Sequence, residues 1–206
     1  MDKSRKKVMS AFMIMLIIAV LIVVGYYIIN KQIMQKAESE VKLPDTEVEK
    51  LLAKDIDIAY PKTPTEVVKL YWRLNQCMYN ENMSDDEFEG LLKQLRKLYD
   101  QEFLDKNENS WEKMLSNFKA DKEKYEDNKQ MISSYIVQDN SSVEYGRQNG
   151  KDCAVLFTDV LVKKGSKRIK LYEKFVCRRD DSQEWKILGW SNAAKEGKKY
   201  FDNSEE

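Results

Sequence analysis

Hydrophobic and polar positions divide this chain into stretches of different period. From Val8 to Ile29 no charged residue interrupts 22 positions, which as a helix rising about 1.5 Å per residue span roughly 33 Å, the depth of a bilayer core. Residues 30–61 show no sustained period, and Pro44, Pro61 and Pro64 fall in one 21-residue window, the mark of a joint. Within it Thr46 and Glu49 form a T-x-x-E pair ahead of Leu51 and Leu52. That pair fits either a short stalk helix or a spacer with transient helix. At Thr63-Pro64-Thr65-Glu66 a capping box opens a helical stripe of Val67, Leu70, Tyr71, Leu74 and Met78, predicting a helix over 64–80. Ser84 with Glu87 starts a second amphipathic helix through Phe88, Leu91, Leu92, Leu95 and Tyr99, and Ser110 a third through Trp111, Leu115, Phe118 and Tyr125.

After Met131 the period becomes alternating, which predicts strands. Ser133 to Gln148 reads as one long bent strand or two, broken at Asp139-Asn140-Ser141, and Asn149-Gly150 makes a hairpin turn. Cys153 to Val162 is an apolar strand, Lys163-Lys164-Gly165 a three-residue turn, Lys167 to Arg178 the return, and Glu184 to Ser191 the closing strand after a turn at Asp180 to Gln183. Parity assigns Cys153, Val155, Phe157, Leu161, Ile169, Leu171, Phe175, Cys177, Trp185 and Ile187 to the face that covers the helices. The other face carries Arg168, Lys170, Lys174, Arg178 and Lys186, together with Leu156, Val160, Tyr172, Val176, Leu188 and Trp190. Its apolar excess fits a contact with a second copy or an envelope protein, or β-propensity on a solvated face. The contact would use Tyr172, Leu188 and Trp190 with Lys164, Lys167 and Arg168 of the neighbouring basic hairpin. The polar tail 194–206 is expected to be disordered.

Thirteen of the 22 uncharged positions are Val, Ile, Leu or Phe, favouring insertion by roughly 4 to 8 kcal/mol. A cleaved signal peptide has a shorter apolar stretch and a small-x-small site close behind it; here the nearest match, Ala37-Glu38-Ser39, lies well beyond. A retained signal-anchor follows, with the lipid bilayer as partner through residues 8–29. Lys3, Arg5, Lys6 and Lys7 crowd the short N-terminal end, so residues 1–7 are expected in the cytoplasm and everything after the span outside it. The 35 basic residues equal the 35 acidic ones, but residues 30–206 alone are mildly acidic, which argues against nucleic acid as a partner. The chain has no histidine, which removes His-based triads and His-ligated zinc, and no cofactor or metal motif is expected. Cys77, Cys153 and Cys177 lack C-x-x-C spacing; Cys153 and Cys177 are placed either as buried thiols, the favoured reading, or as a disulfide.

Helices followed by an antiparallel meander that closes on Glu184-Trp185-Lys186-Ile187-Leu188-Gly189-Trp190 resemble the nuclear transport factor 2-like, or cystatin-like, α+β domains. The resemblance covers residues 62–193 and implies three helices packed on a curved four-stranded sheet around a cavity. Tyr71, Phe157, Asp159, Glu173 and Trp185 are the residues placed there. Enzymes of that superfamily, such as ketosteroid isomerase-like members, often use a cavity acid, which makes Asp159 and Glu173 the candidate catalytic residues. Solvent exposure or pairing with Lys or Arg is the other reading of both acids. The expected organisation is a cytoplasmic end (1–7), a transmembrane helix (8–29), a stalk (30–61), the α+β domain (62–193) and the tail. Its plan is similar to uncharacterised single-pass membrane-anchored bacterial proteins and to the bitopic component of type IV secretion and conjugation machines. The expected function is extracytoplasmic binding without chemistry, with a secretion-complex subunit and a cavity enzyme as alternatives.

Overall fold

The computed structural model describes residues 44–106 and 110–202. The expected cytoplasmic end and span, 1–29, lie outside the described residues, and no helix among those described is long and apolar enough to cross a membrane. The chain is α+β: helices α1 (Glu47–Leu52), α2 (Pro64–Asn80), α3 (Asp85–Lys97), α4 (Gln101–Lys106) and α5 (Trp111–Asp127) precede the strands. These are β1 (Gln130–Val137), β2 (Glu144–Gln148), β3 (Lys151–Lys164), β4 (Lys167–Arg179) and β5 (Trp185–Asn192), and helix α6 (Ala194–Asp202) follows them. Thr46, Thr63 and Ser84 each close a reciprocal capping box, with Glu49, Glu66 and Glu87. Two backbone donors at each of these helix starts are thereby satisfied.

The segment expected as a stalk enters the core. Val48, Leu51 and Ile56 are buried, and Gln94 of α3 donates to the carbonyls of Leu52 and Lys54 at 3.4 Å. Contacts accordingly group Asp45–Glu206 into one compact unit. The T-x-x-E helix has its stabilisation from burial of two apolar residues, which a six-residue helix could not obtain from propensity alone.

All strand pairs are antiparallel, in the order β1-β3-β4-β5, with β2 beside β1 on the same side of β3. Five strands thus occupy four positions, because the break at Asn140–Ser142 lets β1 pair with 158–164 of β3 and β2 with 151–155. Asn149 and Gly150 take positive φ in the expected hairpin turn. Gly165 also has positive φ, but its turn is the two residues Gly165-Ser166, since Lys164 and Lys167 pair. At the far edge the Leu98 carbonyl accepts from Ile187 N–H at 2.7 Å and Asp100 N–H donates to the Ile187 carbonyl at 2.9 Å, which closes β5. Arg178, expected in water, is held there by Asp100 and Glu102 at 2.6 Å each.

Two faces differ from expectation. On β3 the helix-facing residues are Ala154, Leu156, Thr158, Val160 and Val162, all almost fully buried, so Cys153, Val155, Phe157, Asp159 and Leu161 lie on the opposite face. Cys177 is paired with Ala154, so it and Cys153 point to different faces, and all three cysteines are free. On β5 Leu188 is the extra residue of a bulge: Ile187 pairs with Cys177 and Gly189 with Val176. The bulge turns Trp190 onto the helix-facing side, packed on Tyr71, Tyr99, Phe103 and Phe175. The expected disordered tail is helical over Ala194–Asp202 and covers the outer face of the sheet, with Tyr200 stacked on Phe157 and Phe201 on Tyr172. Residues 203–206 lie outside the described residues.

Candidate functional site

Helix α2 runs beside the free edge of β1 and is tied to it at both ends. Thr65 Oγ1 donates to the Gln138 carbonyl at 3.1 Å. At the other end Asn80 behaves as a substitute strand: its Nδ2 donates to the Ile132 carbonyl at 2.8 Å and its Oδ1 accepts from Ile132 N–H at 2.9 Å. Gln76 Nε2 adds a second bond to that carbonyl at 3.0 Å. Between these ties the edge is open. Gln138 N–H donates to the Phe157 carbonyl at 3.0 Å. By the alternation of an antiparallel ladder, Ser134 and Ile136 then turn their backbone groups toward β3, and Tyr135 and Val137 turn theirs away. Those outward groups have no hydrogen-bond partner among the described residues.

A groove of about 870 Å³ lies along this stretch, walled by Tyr135, Ile136, Val137 and Asp139 on one side and by Glu66, Lys69, Leu70 and Arg73 of α2 on the other. Positions 66, 69, 70 and 73 form one stripe of the helix, which is why a single face of α2 lines the groove. Tyr60, Pro61 and Lys62 close one end, with Lys54 nearby. The lining holds Lys54, Lys62, Lys69 and Arg73 against Glu66 and Asp139, a small basic excess. Glu66 is engaged by the backbone of Lys62 and Thr63, and Arg73 is paired with Glu47 at 2.6 Å, while Lys54, Lys62 and Lys69 have no acidic partner among the described residues.

A second feature lies on the helix-facing side of the sheet, where Glu173 is directly opposite Thr158. Glu173 Oε2, Thr158 Oγ1 and Trp72 Nε1 are buried without hydrogen-bond partners among the described residues. Burial pushes the Glu173 carboxyl up to about 7. Burial also raises the Tyr71 phenol well above its ordinary range, with the Tyr99 and Glu173 charges adding to it. A carboxyl held near neutrality can exchange a proton under physiological conditions.

The family described as a domain of unknown function (DUF6715) matches the chain over residues 1–190. The chain belongs to this family. No curated protein matches it. The match takes in the groove and Glu173 and ends before α6 of this DUF6715 chain.

The five residues expected around one cavity are divided between two faces of the DUF6715 sheet. Glu173 and Trp185 face the helices, on the side where Tyr71 of α2 packs on Phe175, but Trp185 is at the far end, buried under Arg179 with its ring 5.0 Å from the guanidinium. Phe157 and Asp159 are on the outer face under α6. There Asp159 accepts from Lys170 at 3.1 Å, Lys170 also reaches Asp202 at 3.2 Å, and Tyr172 O–H donates to Asp202 at 3.0 Å. The Asp159 carboxylate, then Asp202 and Tyr172, raise the Lys170 ammonium above its ordinary range. Asp159 is thus a paired acid and is not brought together with Glu173. Of the expected contact surface, Tyr172 is buried by α6, Leu188 is the extra residue of the bulge, Trp190 lies on the helix-facing side and remains 37% exposed, and Lys164, Lys167 and Arg168 are exposed at the hairpin tip. The groove went unseen in the sequence because it joins α2 to β1, which are far apart along the chain.

Proposed function

We propose that this DUF6715 chain is a single-pass, membrane-anchored protein whose nuclear transport factor 2-like α+β domain lies outside the cytoplasm and binds a partner in the groove between α2 and β1. The observation that carries the binding role is the groove itself, a space of about 870 Å³ with unpaired lysines on its walls and an apolar floor. Recognition sites combine a mostly apolar surface with a few placed polar groups, and this one does. The two candidate acids support binding over chemistry, because they occupy opposite faces of the sheet. For the anchor, the support is the uncharged run from Val8 to Ile29 behind a basic end.

A photo-crosslinking residue placed at Ile136, which is 57% exposed, tests the site in intact cells with the full chain. A discrete adduct is expected there and is expected to disappear when Lys62 and Lys69 are both changed to Glu. Adducts equal to those from a control position on α5, such as Ser116, would overturn the assignment. A cavity enzyme is the competing reading, and the environment of Glu173 is the observation in its favour.

A further inference from the structure

The partner class follows from the groove's chemistry, and it rests on the binding role just proposed. An open strand edge is a template for another extended chain, and proteins normally block such edges with charge, proline, a bulge or a covering element. In this sheet the β5 edge is covered at Ile187 by Leu98–Asp100, β1 is capped by side chains of α2 at Ile132 and Gln138, and the outer edge of β2 is exposed and pairs with no strand among the described residues. On β1 the backbone of Tyr135 and Val137 is left uncovered and opens onto the groove, whereas the unpaired edge of β2 is not part of the groove's lining. A strand rises about 3.3 Å per residue, so the exposed stretch matches three to four residues of an added segment.

Side chains of an added strand would alternate between the two faces of the sheet. Those on one side would meet the Leu70 and Tyr135 surface; Lys69 on the α2 wall and Lys62 and Lys54 toward one end have no acidic partners among the described residues, and of the two lining acids Glu66 is held by the backbone of Lys62 and Thr63, which leaves Asp139. Anionic side chains are the groups these ammoniums would pair with, whereas a basic segment would place like charges together. Main-chain hydrogen bonds supply affinity and alternate side chains supply specificity in this kind of recognition.

We infer that the groove takes an extended acidic peptide segment, which adds to the free edge of β1 as a further strand. The probe is a fluorescein-labelled (Glu-Val)4 peptide titrated by anisotropy against the full chain in nanodiscs of neutral lipid. Saturable binding is expected, weakening more than tenfold from 50 to 300 mM salt, with (Lys-Val)4 at least tenfold weaker. The same peptide N-methylated at alternate residues, which keeps the charges and removes one edge of donors, is expected to lose at least tenfold. Lys62→Glu with Lys69→Glu is expected to weaken the acidic peptide and not to change the thermal midpoint. Val137→Pro removes an outward N–H and leaves the β3 ladder intact, so it too is expected to weaken binding. Equal binding of the methylated and unmodified peptides, or of the two charge types, would overturn the inference. Absence of peptide binding with the Ile136 adduct still forming in cells would sink this partner class and leave the groove's binding role standing; loss of both would sink both.

Discussion

Glu173 is the residue whose environment is least compensated. Its carboxyl is taken from water by burial, faces Thr158 across the β3–β4 ladder, and one of its oxygens has no hydrogen bond among the described residues. Burial without a partner favours the neutral form, hence the value of about 7 against an ordinary 4.5. The folded state therefore holds a proton that the unfolded chain releases between those values. Stability is full below about pH 4.5, falls as pH rises toward 7, and stays at the lower level above it; the difference is on the order of 3 kcal/mol. Glu173→Gln replaces the carboxyl with a group that needs no proton. Its urea midpoint should lie above that of the unaltered chain at pH 8, and the fall between pH 5 and 7 should vanish. A slope that survives the substitution would place its origin in another group. If Glu173 were instead a catalytic base, the same variant would gain stability and lose turnover, the trade expected where an active site stores unfavourable electrostatics.

At the scale of elements, short-range signals were legible and two-sided environments were not. The boxes at Thr63 and Ser84, the Asn149-Gly150 turn and the alternation after Met131 each act over a few residues, and each appears at its expected place. The face assignment of β3 failed because Val155, Leu156 and Phe157 are consecutive apolar residues, and a strand covered on both sides has no polar side to betray its orientation. Helix α6 is what covers the second side. Its sequence reads as polar tail because its contact with the sheet uses few residues, chiefly Gly197, Tyr200 and Phe201. Gly197 permits the approach: a Cβ there would meet Tyr172 Cβ at 2.5 Å, which no rotamer change relieves. Gly197→Ala thus sets two effects against each other. Alanine favours an isolated helix by about 1 kcal/mol, whereas the clash drives α6 from the sheet. If docking holds the helix, trypsin should cut after Lys195, Lys198 and Lys199 more than tenfold faster in the variant, with the thermal midpoint of the sheet core shifted by only a few degrees. Slower cutting would mean that α6 stands by its own propensity. The outer face, whose apolar excess fitted a contact with a second copy or an envelope protein, or β-propensity on a solvated face, is thus largely covered within the chain by α6, which moves the search for a partner to the β1 edge.

For the whole molecule, the decisive asymmetry is between a basic end of a few residues and a long, mildly acidic remainder. Lys3, Arg5, Lys6 and Lys7 stand immediately before the uncharged run, while Lys31, Lys36 and Lys42 are spread behind it. Basic residues close to a span resist translocation, so this density difference sets the orientation proposed above. On that proposed orientation, a partner outside the cytoplasm would reach the groove without crossing the bilayer, and an acidic segment would meet the domain away from the cytosolic pool of nucleic acids and nucleotides that compete for free lysines. Fusion of alkaline phosphatase after Glu206 should give active enzyme, which requires export, and fusion of a fluorescent protein that matures only in the cytoplasm should stay dark. Replacing Lys3, Arg5, Lys6 and Lys7 with Gln and adding four Lys just behind Asn30 should reverse both signals in part of the population, because the positive density then favours the opposite side. Fluorescence from the unaltered chain would place the domain in the cytoplasm, and the groove's partner would then have to be sought there.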